Sequence, residues 1–275
     1  MTHRSILSAL GAVAAGLGLC ASTAHALPVT ISITNNSEAG GLNLTPLFIA
    51  FHNGAYDAFD VGAGASAGVE LIAETGDASG AMAEALGADA NALTGVITAP
   101  GGFAGAPIIE PGESASFTFD VNPMTQRFLS YLSMVIPSND TFIGNGSALE
   151  VFNAAGAYLG DRTLIIDGNA IWDAGTEAND LNDGAAFVVG QDAAGGIETM
   201  DPVALSNGIA AMAVALPTGD LMSPALANFF SDRSAFRLAT ISISADPVPV
   251  PAALPLFAAA LGGGAFFRKR LKKSV

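Results

Sequence analysis

The stretch Val29-Thr-Ile-Ser-Ile-Thr34 alternates apolar and polar side chains, which is the two-residue period of a β-strand with one buried face. The same alternation appears in Ser114-Ala-Ser-Phe-Thr-Phe-Asp-Val121 and in Phe236–Ser244. Apolar runs rich in β-branched and aromatic residues predict further strands at Leu47–Phe51, Phe128–Ile136, Leu149–Phe152, Thr163–Ile166 and Ala185–Val189. Many short strands separated by Gly- and Asn-rich turns are typical of an antiparallel β-sandwich. We therefore predict an all-β fold of this kind, with short helices in its loops.

Helices are predicted in two places. Two apolar-rich pieces within residues 69–86, separated by Gly76-Asp-Ala-Ser79, predict short helices. An Ala-, Met- and Leu-rich stretch within residues 205–230 predicts one more.

The amino-terminal end has the three parts of a secretory signal peptide. Arg4 supplies a positive charge, an apolar run follows from Ile6 to Cys20, and Ala24-His-Ala26 provides small residues for cleavage. The alternative, a membrane helix, is disfavoured because this run of fifteen residues is short for a membrane span. We predict that residues 1–26 form a signal peptide and that the domain proper begins at Leu27.

The carboxy-terminal end, residues 247–275, combines a Pro-rich linker, an apolar segment and a basic tail. Val248–Phe267 contains twenty residues, enough to cross a bilayer, and Arg268–Lys273 supplies the positive charge of a cytoplasmic flank. The entry into this segment, Val248-Pro-Val-Pro-Ala252, resembles the Val-Pro-Leu-Pro-Ala variant of bacterial sorting tails, the PEP-CTERM class, with Val250 in place of Leu. The resemblance implies recognition and removal by an exosortase-type membrane transpeptidase, and a permanent anchor is the alternative. Both predict a domain at residues 27–246 that lies at the cell surface or outside the cell.

The charge of this domain restricts its partners. Residues 27–246 contain all 25 acidic residues of the chain but only four basic ones, Arg127, Arg162, Arg233 and Arg237, which gives a net charge of −21. Nucleic acid is excluded as a partner because no basic patch can form. An anionic membrane is repelled unless a cation bridges the two surfaces, whereas divalent cations are attracted.

Composition also removes several kinds of catalytic site. The only cysteine, Cys20, and two of the three histidines lie in the predicted signal peptide, and residues 27–246 contain no lysine. Thiol nucleophiles, lysine Schiff bases and zinc sites with several His or Cys ligands are therefore excluded. A triad of His52 with Asp57 or Asp60 and a serine has no Gly-x-Ser-x-Gly motif to support it. We expect a protein that is not an enzyme.

Three segments carry a resemblance to a known family. They are Leu44-Thr-Pro-Leu-Phe-Ile-Ala-Phe-His52, Ser133-Met-Val-Ile-Pro-Ser-Asn-Asp-Thr-Phe-Ile-Gly144 and Ile171-Trp-Asp-Ala-Gly-Thr-Glu177. In this order they resemble the spondin amino-terminal domain, first known from F-spondin and mindin, over roughly residues 29–244. The resemblance implies a β-sandwich similar to calcium-dependent phospholipid-binding modules, with a calcium ion at one end of the sheets. It implies Asp140, Asp173 and Glu177 as the ligands, with Glu177 replacing an Asp, whereas the disulfides of the family have no cysteines here.

The residues themselves are compatible with a calcium site. Calcium takes six to eight oxygen ligands, mostly from carboxylates and carbonyls. Asp173 and Glu177 are four residues apart around Gly175, so one turn can direct both carboxylates to one point, and Asp140 follows a predicted strand. Trp172 is expected to pack beside the turn. From the residues alone, solvated loop acids or turn caps remain an alternative, because acidic residues are abundant in this chain.

Together these features predict an exported adhesion or matrix module that binds calcium and an unidentified surface polysaccharide or protein. One alternative is a secreted hydrolase that uses paired carboxylates, like a glycosidase. Carbohydrate clefts usually stack sugars on Trp or Tyr, and this chain has one Trp and three Tyr. Another alternative is a passive surface or biofilm component with a structural ion.

Overall fold

The structure, a computed structural model, describes residues 26–99, 107–179, 184–207 and 232–245. Residues 1–25 of the predicted signal peptide, residues 247–275 of the predicted sorting tail and residues 208–230 of the third predicted helical stretch lie outside the described residues. Neither α-helix in the described part of the chain is long and apolar enough to cross a membrane.

The described residues are mainly strands. In chain order the strands are β1 (Leu27–Asn35), β2 (Asn43–Leu44), β3 (Leu47–His52), β4 (Leu93–Ile97), β5 (Ser114–Val121), β6 (Phe128–Ile136), β7 (Thr141–Gly144), β8 (Leu149–Glu150), β9 (Arg162–Asp167), β10 (Ile171–Asp173), β11 (Ala204–Leu205) and β12 (Arg237–Ala245). Between β3 and β4 lie the helices α1 (Ala67–Thr75) and α2 (Ser79–Ala88), and a short 3₁₀ helix covers Ala193–Gly195.

The strands form two antiparallel sheets, which confirms the predicted all-β sandwich. The smaller sheet has the order β5-β1-β12-β9, and the larger has the order β11-β10-β7-β6-β3-β4, with β2 and β8 also paired to β6. The first and last strands are neighbours, with Ile31 opposite Ile243. The smaller sheet is therefore complete only when both ends of the domain are present.

The core between the sheets follows from the alternation in the sequence. In β1 the apolar Val29, Ile31 and Ile33 are fully buried, whereas the polar residues between them are only half-buried. Leu47, Ile49 and Phe51 of β3 complete the same core from the other sheet. Because apolar burial is the main favourable term in folding, this alternation determines which face of β1 points inward.

A helical layer covers the outer face of the larger sheet. All six residues of β3 are buried, because Phe48 and Ala50 pack against Val69, Ile72 and Ala73 of α1 on the face opposite the sandwich core. A strand buried on both faces is expected to be continuously apolar, as β3 is up to Phe51. The two helices predicted within residues 69–86 are thus confirmed, and they form a third layer of the fold.

Polar caps and close packing position α1. Ser66 caps its amino terminus by accepting a hydrogen bond from the Val69 N–H, and the Glu84 carboxylate of α2 accepts from the Ser66 hydroxyl and from the Gly68 N–H. The helix ends at Gly76, whose φ of 74° is left-handed. These contacts define both ends of α1.

One predicted strand is wrong. Ala185–Val189 contains a turn at Ala186 and Phe187, and Phe187 has a φ of 59°, which an extended strand does not allow. Ala186 and Phe187 pack beside Met134 and Ile136, whereas Ala185 and Val188 belong to the core between the sheets. The predicted strand at residues 149–152 is shorter than expected, ending at Glu150. Five further strands were not predicted from the sequence. They are short, with two to five residues each: β2, β4, β7, β10 and β11.

Candidate metal centre

The pairing of two short strands brings the predicted metal ligands to one end of the larger sheet. Asp140 immediately precedes β7, and Asp173 is the last residue of β10. The two strands are antiparallel, with Asp173 opposite Thr141. As a result, the Ala174 N–H donates to the Asp140 carbonyl at 3.1 Å, and the turn from Asp173 to Glu177 lies directly over Asp140.

The Asp140 carboxylate joins the two loops. The side chain is fully buried, and its Oδ2 accepts hydrogen bonds from the backbone N–H groups of Thr176 at 2.9 Å and Glu177 at 3.1 Å. Its Oδ1 is buried and has no hydrogen-bond partner among the described residues. Burial raises the pKa of Asp140 to about 6, and the charge of Asp173 adds to this effect, although the two backbone hydrogen bonds oppose it.

The Asp173 carboxylate shapes the turn. Its Oδ1 accepts from the Gly175 N–H at 2.9 Å, and its Oδ2 accepts from the Asn179 side chain at 2.8 Å. Each carboxylate oxygen has two lone pairs, so these bonds leave acceptor capacity for a cation. Its negative charge also contributes to the raised pKa of Asp140.

Gly175 makes the turn possible. Its φ of 70° is left-handed, and a Cβ on this residue would lie 2.3 Å from the carbonyl oxygen of Asp201. The Gly175 carbonyl accepts from the Asp201 N–H and from the Thr199 hydroxyl, both at 2.8 Å. The turn is therefore packed directly against the segment that follows the 3₁₀ helix.

Glu177 carries the second buried carboxylate. Its side chain is 4% exposed, and Oε2 has no hydrogen-bond partner among the described residues. Gly196 leaves room for this group, because a Cβ there would lie 2.1 Å from Glu177 Oε1. The pKa of Glu177 is raised to about 7. Burial is the largest cause, the negative charges of Glu74, Asp140 and Glu198 add to it, and a hydrogen bond with Asn139 opposes it.

The structure adds acidic residues that the sequence prediction missed. Glu70 and Glu74 lie one turn apart on α1, and Glu198 lies opposite Glu177 in an isolated antiparallel bridge. One carboxylate oxygen from each of Glu70, Glu74 and Glu198 lies within 4.8 Å of the others. The four-residue spacing of Glu70 and Glu74 on a predicted helix indicated a shared face, but nothing in the sequence connected that face to the Asp140 loop.

The predicted ligands are thus brought together in part. The Glu177 backbone N–H donates to the Asp140 carboxylate, and the negative charge of Asp173 raises the pKa of Asp140. Within the described ranges, however, the one group of three carboxylates within 4.8 Å of one another is that of Glu70, Glu74 and Glu198. We call the six residues Glu70, Glu74, Asp140, Asp173, Glu177 and Glu198 the acidic centre. It is larger than the predicted triad of ligands.

The donor set fits a hard divalent cation. Asp140, Glu177 and Glu74 each have one buried carboxylate oxygen without a hydrogen-bond partner in the described part of the chain. The charges that raise the pKa of these three carboxyls are all negative, from Glu70, Asp173, Glu198 and one another. Such a group must take up either protons or a cation, and carboxylate oxygens are the ligands that calcium prefers.

His52 occupies a structural position. Its side chain is fully buried, its Nδ1 accepts from the Gly54 N–H at 3.1 Å, and its Nε2 lies 3.1 Å from the Ser130 hydroxyl. In a catalytic triad, Nδ1–H donates to the acid. Burial lowers the pKa of His52, and the carboxylate whose charge opposes this is Asp89, not Asp57 or Asp60.

The Spondin_N family model matches residues 38–192, a range that includes Asp140, Asp173 and Glu177. No curated protein matches the sequence.

Replacing Gly175 with Ala should destabilise the protein strongly. The left-handed φ alone costs about 1–2 kcal/mol for a residue with a Cβ, and the clash with the Asp201 carbonyl adds to it. Gly62→Ala is the matched control, since Gly62 has a φ of 91° but no atom within 4 Å of its Cβ. Urea unfolding should show a loss of roughly 3 kcal/mol or more for Gly175→Ala and about 1 kcal/mol for Gly62→Ala. Equal losses would show that the turn is not packed as described.

In chelator, the protein should lose stability as the pH rises from about 4 to about 7. The pKa values of Asp140 and Glu177 are raised to about 6 and about 7. The folded state therefore binds more protons than the unfolded state, and this contribution disappears as the pH passes the folded-state pKa. The melting temperature should fall across this window, and Glu177→Gln should flatten the fall because an amide does not ionise.

The control for general charge repulsion is Glu38→Gln, which removes an exposed carboxylate outside the centre. If Glu38→Gln flattens the profile as much as Glu177→Gln, the pH dependence does not arise from the centre.

Proposed function

Since this chain belongs to the spondin N-terminal domain family, a family of extracellular interaction modules without catalytic activity, we propose that it is a calcium-dependent adhesion module of the cell surface or extracellular matrix. Asp140, Asp173 and Glu177 would hold the ion. The partner would be a surface polysaccharide or a protein.

One observation carries the proposal of calcium. Two side chains at the end of the larger sheet, Asp140 and Glu177, have buried carboxylate oxygens without a partner among the described residues. The charges that act on these two carboxyls in the described part of the chain are negative. Folding a domain of net charge −21 around such groups is unfavourable without a cation. A divalent ion would convert this repulsion into an attraction between the Asp140 loop and the Asp173–Glu177 turn.

The position of the ion suggests how it would serve adhesion. The turn forms part of a surface pocket of about 250 Å³, lined by residues that include Gly64, Glu70, Thr176, Glu198 and Met200. A bound cation would hold the turn rigid and so preorganise this edge for a partner, which lowers the entropic cost of binding. It would also reduce the repulsion of an acidic partner by this acidic domain.

Calcium should raise the stability of the protein. At about 10 mM, an ion with a Kd of about 10⁻⁴–10⁻³ M, typical of extracellular modules, stabilises the folded state by about 1.4–2.7 kcal/mol. The melting temperature should therefore rise, chelator should reverse the rise, and magnesium should replace calcium poorly because it requires a tighter octahedral shell. Asp140→Asn and Asp173→Asn should both reduce the rise.

Asp120→Asn provides the matched control, because Asp120 is an exposed residue of β5 on the other sheet. It removes the same charge without touching the centre. If calcium raises the melting temperature of all three variants equally, the ion only screens the surface charge and the proposed ligands are wrong.

We further propose that the chain is exported by cleavage of residues 1–26 and sorted through residues 247–275. The support is the pattern of both ends of the sequence, and an exosortase-type transpeptidase would be the partner of the tail. Mass spectrometry of protein recovered from the cell surface should show an amino terminus at Leu27 and no residues beyond about Pro249. Deletion of Leu256–Val275 should release the protein. An uncleaved Met1 would contradict export by this signal, and an intact carboxy terminus would indicate a permanent anchor.

A further inference from the structure

We propose that Glu70, Glu74 and Glu198 form a second divalent-cation site, beside the site of Asp140, Asp173 and Glu177, so that the module binds two calcium ions at this edge. Its ligands come from α1 and from the segment after the 3₁₀ helix, and none of them is among the three residues proposed for the first ion.

The spacing of the three carboxylates matches a calcium ion. Ligand oxygens bound at about 2.3–2.6 Å from one ion lie no further than roughly 5 Å from each other. One oxygen from each of Glu70, Glu74 and Glu198 meets this condition, since all lie within 4.8 Å of one another.

The backbone holds these residues together although their charges repel each other. Glu70 and Glu74 follow the capped start of α1, which is packed on the larger sheet through Val69, Ile72 and Ala73. Like charges four residues apart destabilise a helix, so this packing must outweigh the repulsion between Glu70 and Glu74.

Glu198 is fixed in a separate way. The Ala178 N–H donates to the Ile197 carbonyl at 2.8 Å, and the Thr199 N–H donates to the Thr176 carbonyl at 2.7 Å. These bonds form the ladder in which Glu198 lies opposite Glu177. The three glutamates therefore converge because of backbone pairing and helix packing, not by chance placement of mobile side chains.

A second observation points to a ligand at this cluster. Only 4% of Glu177 is exposed, and its Oε2 has no hydrogen-bond partner in the part of the chain that the structure describes. Directly opposed residues of an antiparallel pair have their side chains on the same face, so Glu177 is directed to the side of Glu198. The charges of Glu74 and Glu198 both act on its carboxyl. Glu74 itself has a buried Oε1 without a partner in the same described ranges.

Thr176 adjoins both sites. Its hydroxyl donates a hydrogen bond to Asp140 Oδ2 at 3.4 Å, and an interaction with the Thr176 side chain lowers the pKa of Glu74. The Thr176 side chain thus lies next to both Asp140 and Glu74. Two ions in this arrangement would both lie near Glu177. Each ion would neutralise carboxylates whose mutual repulsion the other ion does not offset.

The two sites differ in exposure. Asp140 is fully buried, whereas Glu198 is exposed and lines the pocket of about 250 Å³ together with Glu70. The first ion would be enclosed by protein. The second would complete its six to eight oxygen ligands from water and exchange more readily.

The test is to count the calcium ions bound by the purified protein at about 0.15 M salt, where binding to scattered surface charge is screened. Equilibrium dialysis followed by elemental analysis should give two ions per chain for the wild type and one for Glu198→Gln. Glu198 is exposed, so its replacement should leave the fold intact, and circular dichroism checks this. Glu70→Gln should weaken the second ion roughly tenfold because it removes one ligand charge, and Glu38→Gln should leave two ions.

Failure of this proposal and failure of the first site give different results. One ion in the wild type that is lost in Asp173→Asn but retained in Glu198→Gln overturns the second site and supports the first. One ion that is lost in Glu198→Gln but retained in Asp173→Asn supports the glutamate site and overturns the first. One ion retained in both variants, or none in the wild type, overturns both.

Discussion

The acidic end of this domain depends on one interaction: the buried Asp140 carboxylate accepts hydrogen bonds from the backbone N–H groups of Thr176 and Glu177. It connects the loop before β7 to the turn after β10, two segments that are more than thirty residues apart in the chain. Hydrogen bonds to a charged group are stronger than those between neutral groups. Without Asp140, the turn would lose the acceptor of two buried N–H groups, and the acidic residues on either side would lose their common position.

The same carboxylate creates the problem that a cation would solve. One of its oxygens satisfies the turn, and the other is buried without a partner among the described residues. Residues 27–246 contain no lysine, and Arg127, one of the four arginines, pairs with Glu150, which is outside the centre. Negative charges from α1, from β10 and from the Glu198 segment meet here. The fold brings them together because hydrophobic packing of α1 and strand pairing outweigh their repulsion, which leaves an electrostatic attraction for metal ions.

The helical layer gives this edge its composition. In a sandwich of two sheets alone, the outer face of β3 and β6 would be open to water. Here Phe48 and Ala50 are covered by α1 and α2, and the same packing places Glu70 and Glu74 next to the Asp173–Glu177 turn. Apolar burial on one face of α1 therefore positions acidic groups on its other face. Glu84, which holds the amino terminus of α1, is part of this arrangement.

The sequence by itself determined the class of fold and the longer strands, because alternation with a period of two is a local pattern that one buried face imposes on β1, β5 and β12. The resemblance to the spondin amino-terminal domain also predicted Asp140, Asp173 and Glu177 as metal ligands, through two separate motifs that are each short and continuous in the chain. The sequence did not predict β7 or β10, because strands of four and three residues are too short for a period of two to be recognised. It wrongly predicted a strand at Ala185–Val189, which contains a turn with Phe187 in the left-handed region. Only the tertiary structure placed Glu70, Glu74 and Glu198 beside Glu177, because their proximity arises from the packing of α1 on the sheet and from one antiparallel bridge. Neither of these long-range contacts leaves a local pattern in the sequence.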